Sequence, residues 1–249
     1  MTPILKLIFV GTVFIVIVGC HKRDDASPPA QSEASPTTFP TGSATVRGSV
    51  VLVGKAPTMS TIPNKPCHDG ALPLNDEAVV VDDAGHLKNV IVYLENAPPA
   101  PPAENAPAEK LDQINCQYVP HMLALRTGQP LHVTTADPTL HNVHGDCLDN
   151  PPFNFALVAP TQSRDLTFKS PERFPIRCDV HPWMKAYVQV FSHPWFAVTD
   201  KNGAFEIPNV PPGTYTLVAW QEKYGFLRQP IHVENNKTTT QTFEFKSGL

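Results

Sequence analysis

Charge is scarce in this sequence. Asp, Glu, Lys and Arg make up 17% of 249 residues, and 19 cations against 23 anions leave a net charge of −4. That excludes the basic face of a nucleic-acid binder. Long helical periodicity is also missing: after the first nineteen residues no stretch sustains an apolar period of 3.6, so long amphipathic helices are excluded. Apolar residues are not lacking. At 41% they suffice for a packed core and exclude wholesale disorder. The length fits one large domain or two small ones. Proline is what abounds, with 28 copies, about twice average usage. Helix interiors tolerate it badly, which leaves strands, turns and extended linkers.

Residues 1–19, MTPILKLIFVGTVFIVIVG, carry one early lysine, Lys6, and then an apolar run ending in small residues. This reads as an export signal. The run is short for a full membrane span. Ile17-Val18-Gly19-Cys20 resembles a bacterial lipobox, which implies cleavage before Cys20 and acylation of that cysteine. Several acyl chains make a firm membrane anchor. The rest of the chain is then expected on the periplasmic side of a bacterial cell envelope. His21 after the cysteine fits an outer-membrane sorting rule. Residues 20–43 are rich in Ser, Pro, Thr and Asp and read as a disordered tether.

From Ala44 onward, segments of five to eight residues rich in β-branched and aromatic side chains alternate with Gly, Pro, Asp and Asn. The fold class is all-β, as sandwiches or Greek-key barrels. The proline-alanine stretch Ala97–Lys110 reads as an extended, exposed loop. Asp200 to Gly203 spells a tight turn that sets Phe205 and Ile207 on one face. The Pro211-Pro212-Gly213 turn then delivers Tyr215 and Leu217 to a core. A calcium loop at Asp200 lacks the later acidic ligands it would need. The pattern from Thr199 to Tyr215 resembles the carboxypeptidase regulatory-like, transthyretin-like β-sandwich. Thr45 to Val53 resembles its first strand, so the middle of the chain reads as an insertion within it, with two consecutive domains as the alternative.

Chemistry concentrates in Cys178-Asp179-Val180-His181-Pro182-Trp183-Met184, between two strand-like segments. Pro182 disfavours helix. A hairpin tip here aims a thiolate, an imidazole and a thioether at one point. Upstream, His141-Asn142-Val143-His144 offers two more imidazoles, which in extended chain face opposite sides. One of them with Cys178, His181 and Met184 gives two nitrogens, a thiolate and a weak thioether, the donor set of blue copper. Zinc is the rival metal, but zinc sites seldom recruit methionine.

These motifs resemble the cupredoxins, closest to the amicyanin and plastocyanin branch, over roughly Ile114 to Phe191. The shared pieces are CDVHPWM, the His-Asn-Val-His run, and the flanking TGQPLHVTTAD and DLTFKSPERFPIRC. The resemblance implies a cupredoxin Greek-key sandwich holding one type-1 copper, with His141, Cys178 and His181 equatorial and Met184 axial. His144 is not a ligand in that pattern. Two departures stand out: the insertion around Cys147, and Asp179 after the copper cysteine, where contact with Asn142 would alter how the ligand loop is braced. The expected layout is a leader at 1–19, a tether at 20–43, first strands of the transthyretin-like sandwich at 44–110, the cupredoxin domain at 111–192, and the remainder of the carboxypeptidase regulatory-like sandwich at 193–249.

With Cys20 lipidated and Cys178 on copper, Cys67, Cys116 and Cys147 remain. An exported compartment oxidises thiols. Cys67 and Cys116 flank the proline-alanine loop and are the disulfide candidates, leaving Cys147 odd. Cys116 to His121 could suggest a second metal site, but a disulfide beside a surface histidine is the simpler reading. No substrate-converting constellation, no second His-x-His cluster and no Cys-x-x-Cys-His haem motif is present. The sequence therefore points away from an enzyme, to a membrane-tethered electron carrier with His181, Pro182 and Trp183 as the exit and Phe153 and Phe155 extending an apolar docking rim. By family analogy its partners are redox proteins, a dehydrogenase donor and a cytochrome acceptor. Copper delivery with the same ligands, or a non-redox structural module, are the alternatives.

Overall fold

A computed structural model describes residues 39–62, 74–158 and 162–248. The leader, the lipidation candidate Cys20 and the disulfide candidate Cys67 lie outside the described residues. The described residues hold no α-helix and eighteen strands, an all-β fold. The first four strands are β1 (Ala44–Val53), β2 (Val80–Val81), β3 (Leu87–Lys88) and β4 (Ile91–Leu94). The next nine are β5 (Glu109–Ile114), β6 (Gln117–Val119), β7 (Met122–Arg126), β8 (Pro130–Thr134), β9 (His141–Gly145), β10 (Phe153–Leu157), β11 (Ser163–Thr167), β12 (Glu172–Arg177) and β13 (Lys185–Phe191). The last five are β14 (Phe196–Val198), β15 (Ala204–Val210), β16 (Gly213–Gln221), β17 (Gly225–Val233) and β18 (Thr238–Lys246).

Strands from the two ends of the chain share one sandwich. Its sheets are ordered β15-β1-β18 and β14-β4-β16-β17. β1 is the central strand of the first sheet, antiparallel to β15 and parallel to β18. Its alternation places Val46, Val50 and Leu52 inside, where they meet Leu87, Val92, Ile207, Leu217 and Phe243. The turn at Asp200 forms as its sequence implies: the Asp200 carboxylate accepts the backbone N–H groups of Asn202 and Ala204. Tyr215 and Leu217 are buried.

Strands β5 to β13 form the second sandwich, with sheets β10-β9-β12-β13-β7 and β11-β8-β5-β6. Its core is Leu111, Leu125, Leu131, Val143, Phe174, Ile176 and Val188. The chain passes from β4 into this sandwich and returns at β14, so the second sandwich sits within the chain path of the first. A third apolar cluster joins the two: Ile91, Tyr93, Phe196 and Trp220 pack on Met122, Tyr187 and Phe191. β13 is therefore covered on both faces. Ala186, Val188 and Val190 point into the second core, and Tyr187 and Phe191 point into the shared cluster.

One segment differs from its expected character. Residues 39–43, the end of the expected tether, are packed: the Phe39 ring stacks on Trp195 at 5.1 Å, and Gly42 N–H donates to Asn209 O. An aromatic in a Pro/Ser/Thr-rich stretch is the exception that finds a partner. The proline-alanine stretch is mostly exposed, as expected, and is pinned at two points. Ala100 and Ala103 donate backbone N–H groups to Ser192 and Thr127, and its last two residues, Glu109 and Lys110, already belong to β5.

Candidate metal centre

The tip between β12 and β13 carries three of the expected ligands. Cys178 N–H donates to Met184 O at 3.2 Å and Met184 N–H to His181 O at 2.9 Å, closing the segment on itself. β12 pairs with β9, setting Arg177 opposite His144, so the chain runs out of the sheet beside His141. The side chains then converge. His141 Nδ1 lies 3.0 Å from His181 Nδ1, and Cys178 Sγ lies 3.7 Å from His181 Nδ1. The sulfur also hydrogen-bonds to His141. His141, Cys178, His181 and Met184 are 0%, 2%, 4% and 1% exposed, so all four are withdrawn from solvent.

This spacing fits a metal ion. With bonds of about 2.0 Å to imidazole and about 2.3 Å to thiolate, a trigonal ion separates nitrogen from sulfur by about 3.7 Å, which is the observed distance. At such bond lengths, nitrogens 3.0 Å apart subtend roughly 100°. The charges fit as well. Burial would raise the Cys178 thiol, but His141 and the backbone N–H groups of Asn142, His181 and Val180 hold it below its ordinary value. Burial would lower the His141 imidazole, but Asp137 and Cys178 lift it to about 9. Burial and the neighbouring His141 charge lower His181. Without metal, the His141 imidazole thus lies between the Asp137 carboxylate and the Cys178 sulfur. A dication bound there would balance the carboxylate and a thiolate, which a buried site requires.

Asp137 supplies a role that sequence reasoning missed. Its carboxylate accepts His141 Nε2 at 2.9 Å and the N–H groups of Asn115 and Cys116 at 2.7 and 2.8 Å. Burial opposes its ionisation, and those bonds hold it below the usual carboxylate range. It fixes the ring so that Nδ1 faces the other ligands, as carboxylates behind metal-binding histidines do. The signal was its spacing, four residues before His141. Tyr118 is a second such residue: buried, with its hydroxyl donating to Asn142 O.

Outside the ligands, Asp179 N–H donates to Asn142 Oδ1, and Asp179 Oδ2 accepts Asn142 Nδ2. His144 is turned away from the ligands and sits between Asp179 and Asp146. Cys116 is disulfide-bonded. Its sulfur lies within 4.8 Å of ligand atoms of His141 and His181, yet a disulfide sulfur has no thiolate charge, so Cys178 is the stronger donor. Cys147 is a free, buried thiol, pushed up to about 12 by burial, Glu172 and Asp146. His121 is not a surface residue: its side chain is 5% exposed and contacts Glu222. It follows a tight turn and enters β7, where the first sandwich covers it. At the tip Pro182 is exposed and Trp183 half-buried, its Nε1–H donating to Cys116 O. Phe153 and Phe155 are half-buried rather than a free rim. The Phe153 ring packs near Phe168 and Phe174 because Gly145 leaves space beneath it.

The family model for the carboxypeptidase regulatory-like domain matches residues 181–246. Its first matched residues are the ligand tip and β13, which pair in the second sandwich, while β14 to β18 complete the first. Among solved structures, a copper-containing nitrite reductase from Thermus scotoductus SA-01 is similar at 18% identity and a TM-score of 0.33. The similarity covers 39% of this chain and 26% of that one, so this chain spans about a quarter of the reductase's length. A methionine-to-alanine mutant of amicyanin in its Cu(I) form is similar at 21% identity and a TM-score of 0.31, over 40% of this chain and 98% of that one. An oxidised proline-to-alanine mutant of amicyanin is similar at 23% identity and a TM-score of 0.32, with the same coverage. No curated protein matches the chain.

Proposed function

We propose that this chain is a blue-copper electron carrier, tethered by lipid at Cys20 on the periplasmic side of a bacterial envelope and not itself an enzyme. The observation that carries this reading is the approach of His181 Nδ1 to His141 Nδ1 at 3.0 Å and to Cys178 Sγ at 3.7 Å. Copper, when bound, supplies a single reversible electron. His141, Cys178 and His181 would hold the ion through two imidazoles and a thiolate, and the Met184 thioether would be a weaker fourth donor. Asp137 orients His141 from behind, and His141 with the backbone N–H groups around Cys178 holds the thiol below its ordinary value. A site built this tightly changes little between oxidation states, which favours transfer over substrate chemistry. All four ligands are buried, so no coordination position is presented to a substrate.

His181 with Pro182 and Trp183 forms the route outward, since this is where the ligand loop meets solvent. Encounters there would be small and brief, as suits redox partners such as a dehydrogenase donor and a cytochrome acceptor. A redox titration of the copper-loaded protein tests the reading. One reversible electron per chain, with copper retained in both states, is the expected result. Loss of the ion on reduction would instead make the chain a copper-delivery protein.

A further inference from the structure

The first sandwich carries no ligand, yet it places one carboxylate beneath the ligand loop. Glu222 lies in the turn between β16 and β17 with its side chain 4% exposed. That turn is held by Gln221, which is fully buried. Gln221 accepts the N–H groups of Lys223 and Tyr224 and donates to Ala78 O. Glu222 reaches across to the second sandwich and meets two cations or donors there. Its carboxylate pairs with Lys185 Nζ at 2.5 Å and with His121 Nε2. Lys185 opens β13 directly after Met184, and His121 leads into β7, the parallel neighbour of β13. Tyr187 N–H donates to His121 O, closing the link between the two strands. Burial disfavours the Glu222 charge, and His121 and Lys185 more than offset this.

We propose that Glu222 is a positioning residue for the metal centre, through which the first sandwich fixes the Met184 thioether by holding Lys185 and His121. The ligand loop has two ends. The Cys178 end is fixed by β9 and Asn142. At the Met184 end, the backbone runs at once into Lys185, whose charged head is clamped by a residue from the other sandwich. A buried carboxylate that lost one of these partners would have only the other to offset its charge, so the arrangement favours one register. Beside it, Trp220 packs edge-on to Tyr187 at 5.2 Å, and the Arg173 guanidinium lies 4.2 Å over Trp220, so this end of β13 is covered by the same sandwich. The inference rests on the copper reading for its consequence, but the placement of Met184 is testable without metal.

The chain has four methionines, so each labelled methyl can be resolved by NMR. In the metal-free protein, Glu222→Gln and Lys185→Gln should each shift and broaden the Met184 methyl signal while Met59 stays unchanged. A sharp, unshifted Met184 signal in a folded variant overturns the proposal. Should Glu222→Gln fail to fold, Lys185→Gln alone decides, because it leaves the first sandwich intact. With copper bound, both variants should shift the reduction potential, and the shift should vanish in a Met184→Leu background. The same shift persisting there would show a charge acting through space and overturn the positioning role. Failure of the wild-type protein to take up copper would defeat the carrier reading, while the metal-free methyl signals still decide this one.

Discussion

Asn142 and Asp179 are joined twice: Asn142 Oδ1 accepts the Asp179 N–H at 2.6 Å, and Asn142 Nδ2 donates to Asp179 Oδ2 at 2.8 Å. Each residue directly follows a proposed ligand, His141 in one case and Cys178 in the other, so the pair fastens the two segments together. Asn142 is buried, and Asn154 also bonds to it. Asn142→Ala leaves the Asp179 N–H without this acceptor. Losing a hydrogen bond of this kind costs about 1–3 kcal/mol. Chemical denaturation should show that loss, and copper should leave the variant faster than the wild type when challenged with a chelator.

His193 makes stability depend on pH. It is 5% exposed, accepts the Trp195 N–H at Nδ1, and lies beside the rings of Phe191 and Trp195. Burial, reinforced by Arg126 and opposed by the Leu94 carbonyl, lowers it to about 4. In the unfolded chain it takes up its proton near pH 6.5. Between those values the unfolded state binds more protons, so stability falls as pH drops through that window and this contribution levels off below it. The total is about 3 kcal/mol. Urea unfolding between pH 7 and 4 should show this decline. His193→Asn should reduce it, leaving the part due to His181, also held below its ordinary value, and the losses due to carboxylates at lower pH.

Much of this was readable in the residues. Alternation and punctuation announced strands, as β1 shows with Val46, Val50 and Leu52 inside. Ligand types and their spacing marked the Cys178–Met184 tip, and the structure brings His141 to it while turning His144 outward. The acidic residue after the cysteine marked position 179 as a departure, and the structure shows it bonded to Asn142. Other features depend on segments distant in sequence. Asp137 was signalled only by its spacing before His141, while its bonds to Asn115 and Cys116 come from a distant turn, and His121 looked like a surface residue until Glu222, about a hundred positions later, closed over it. Phe153 and Phe155 read as an exposed rim because sequence does not show that Phe168 and Phe174 line the space beneath. The packing of Phe39 on Trp195 joins residues far apart, and no local pattern encodes it.

The joint between the sandwiches is a further point of weakness. Trp220 is 6% exposed and contacts Tyr187 and Arg173 across the shared cluster. Truncating a buried tryptophan costs about 3–5 kcal/mol. Trp220→Ala should lower the melting temperature and raise proteolysis at the linkers near residues 95–108 and 192–195. Calorimetry with limited proteolysis checks both effects.

The most direct measurement is the visible spectrum of the protein loaded with one equivalent of Cu(II), recorded beside Cys178→Ser. An intense thiolate-to-copper band near 600 nm, the expectation carried from the cupredoxin resemblance, should appear in the wild type and vanish in the variant. A wild-type protein with verified copper and no such band, or a band that survives Cys178→Ser, would contradict the account.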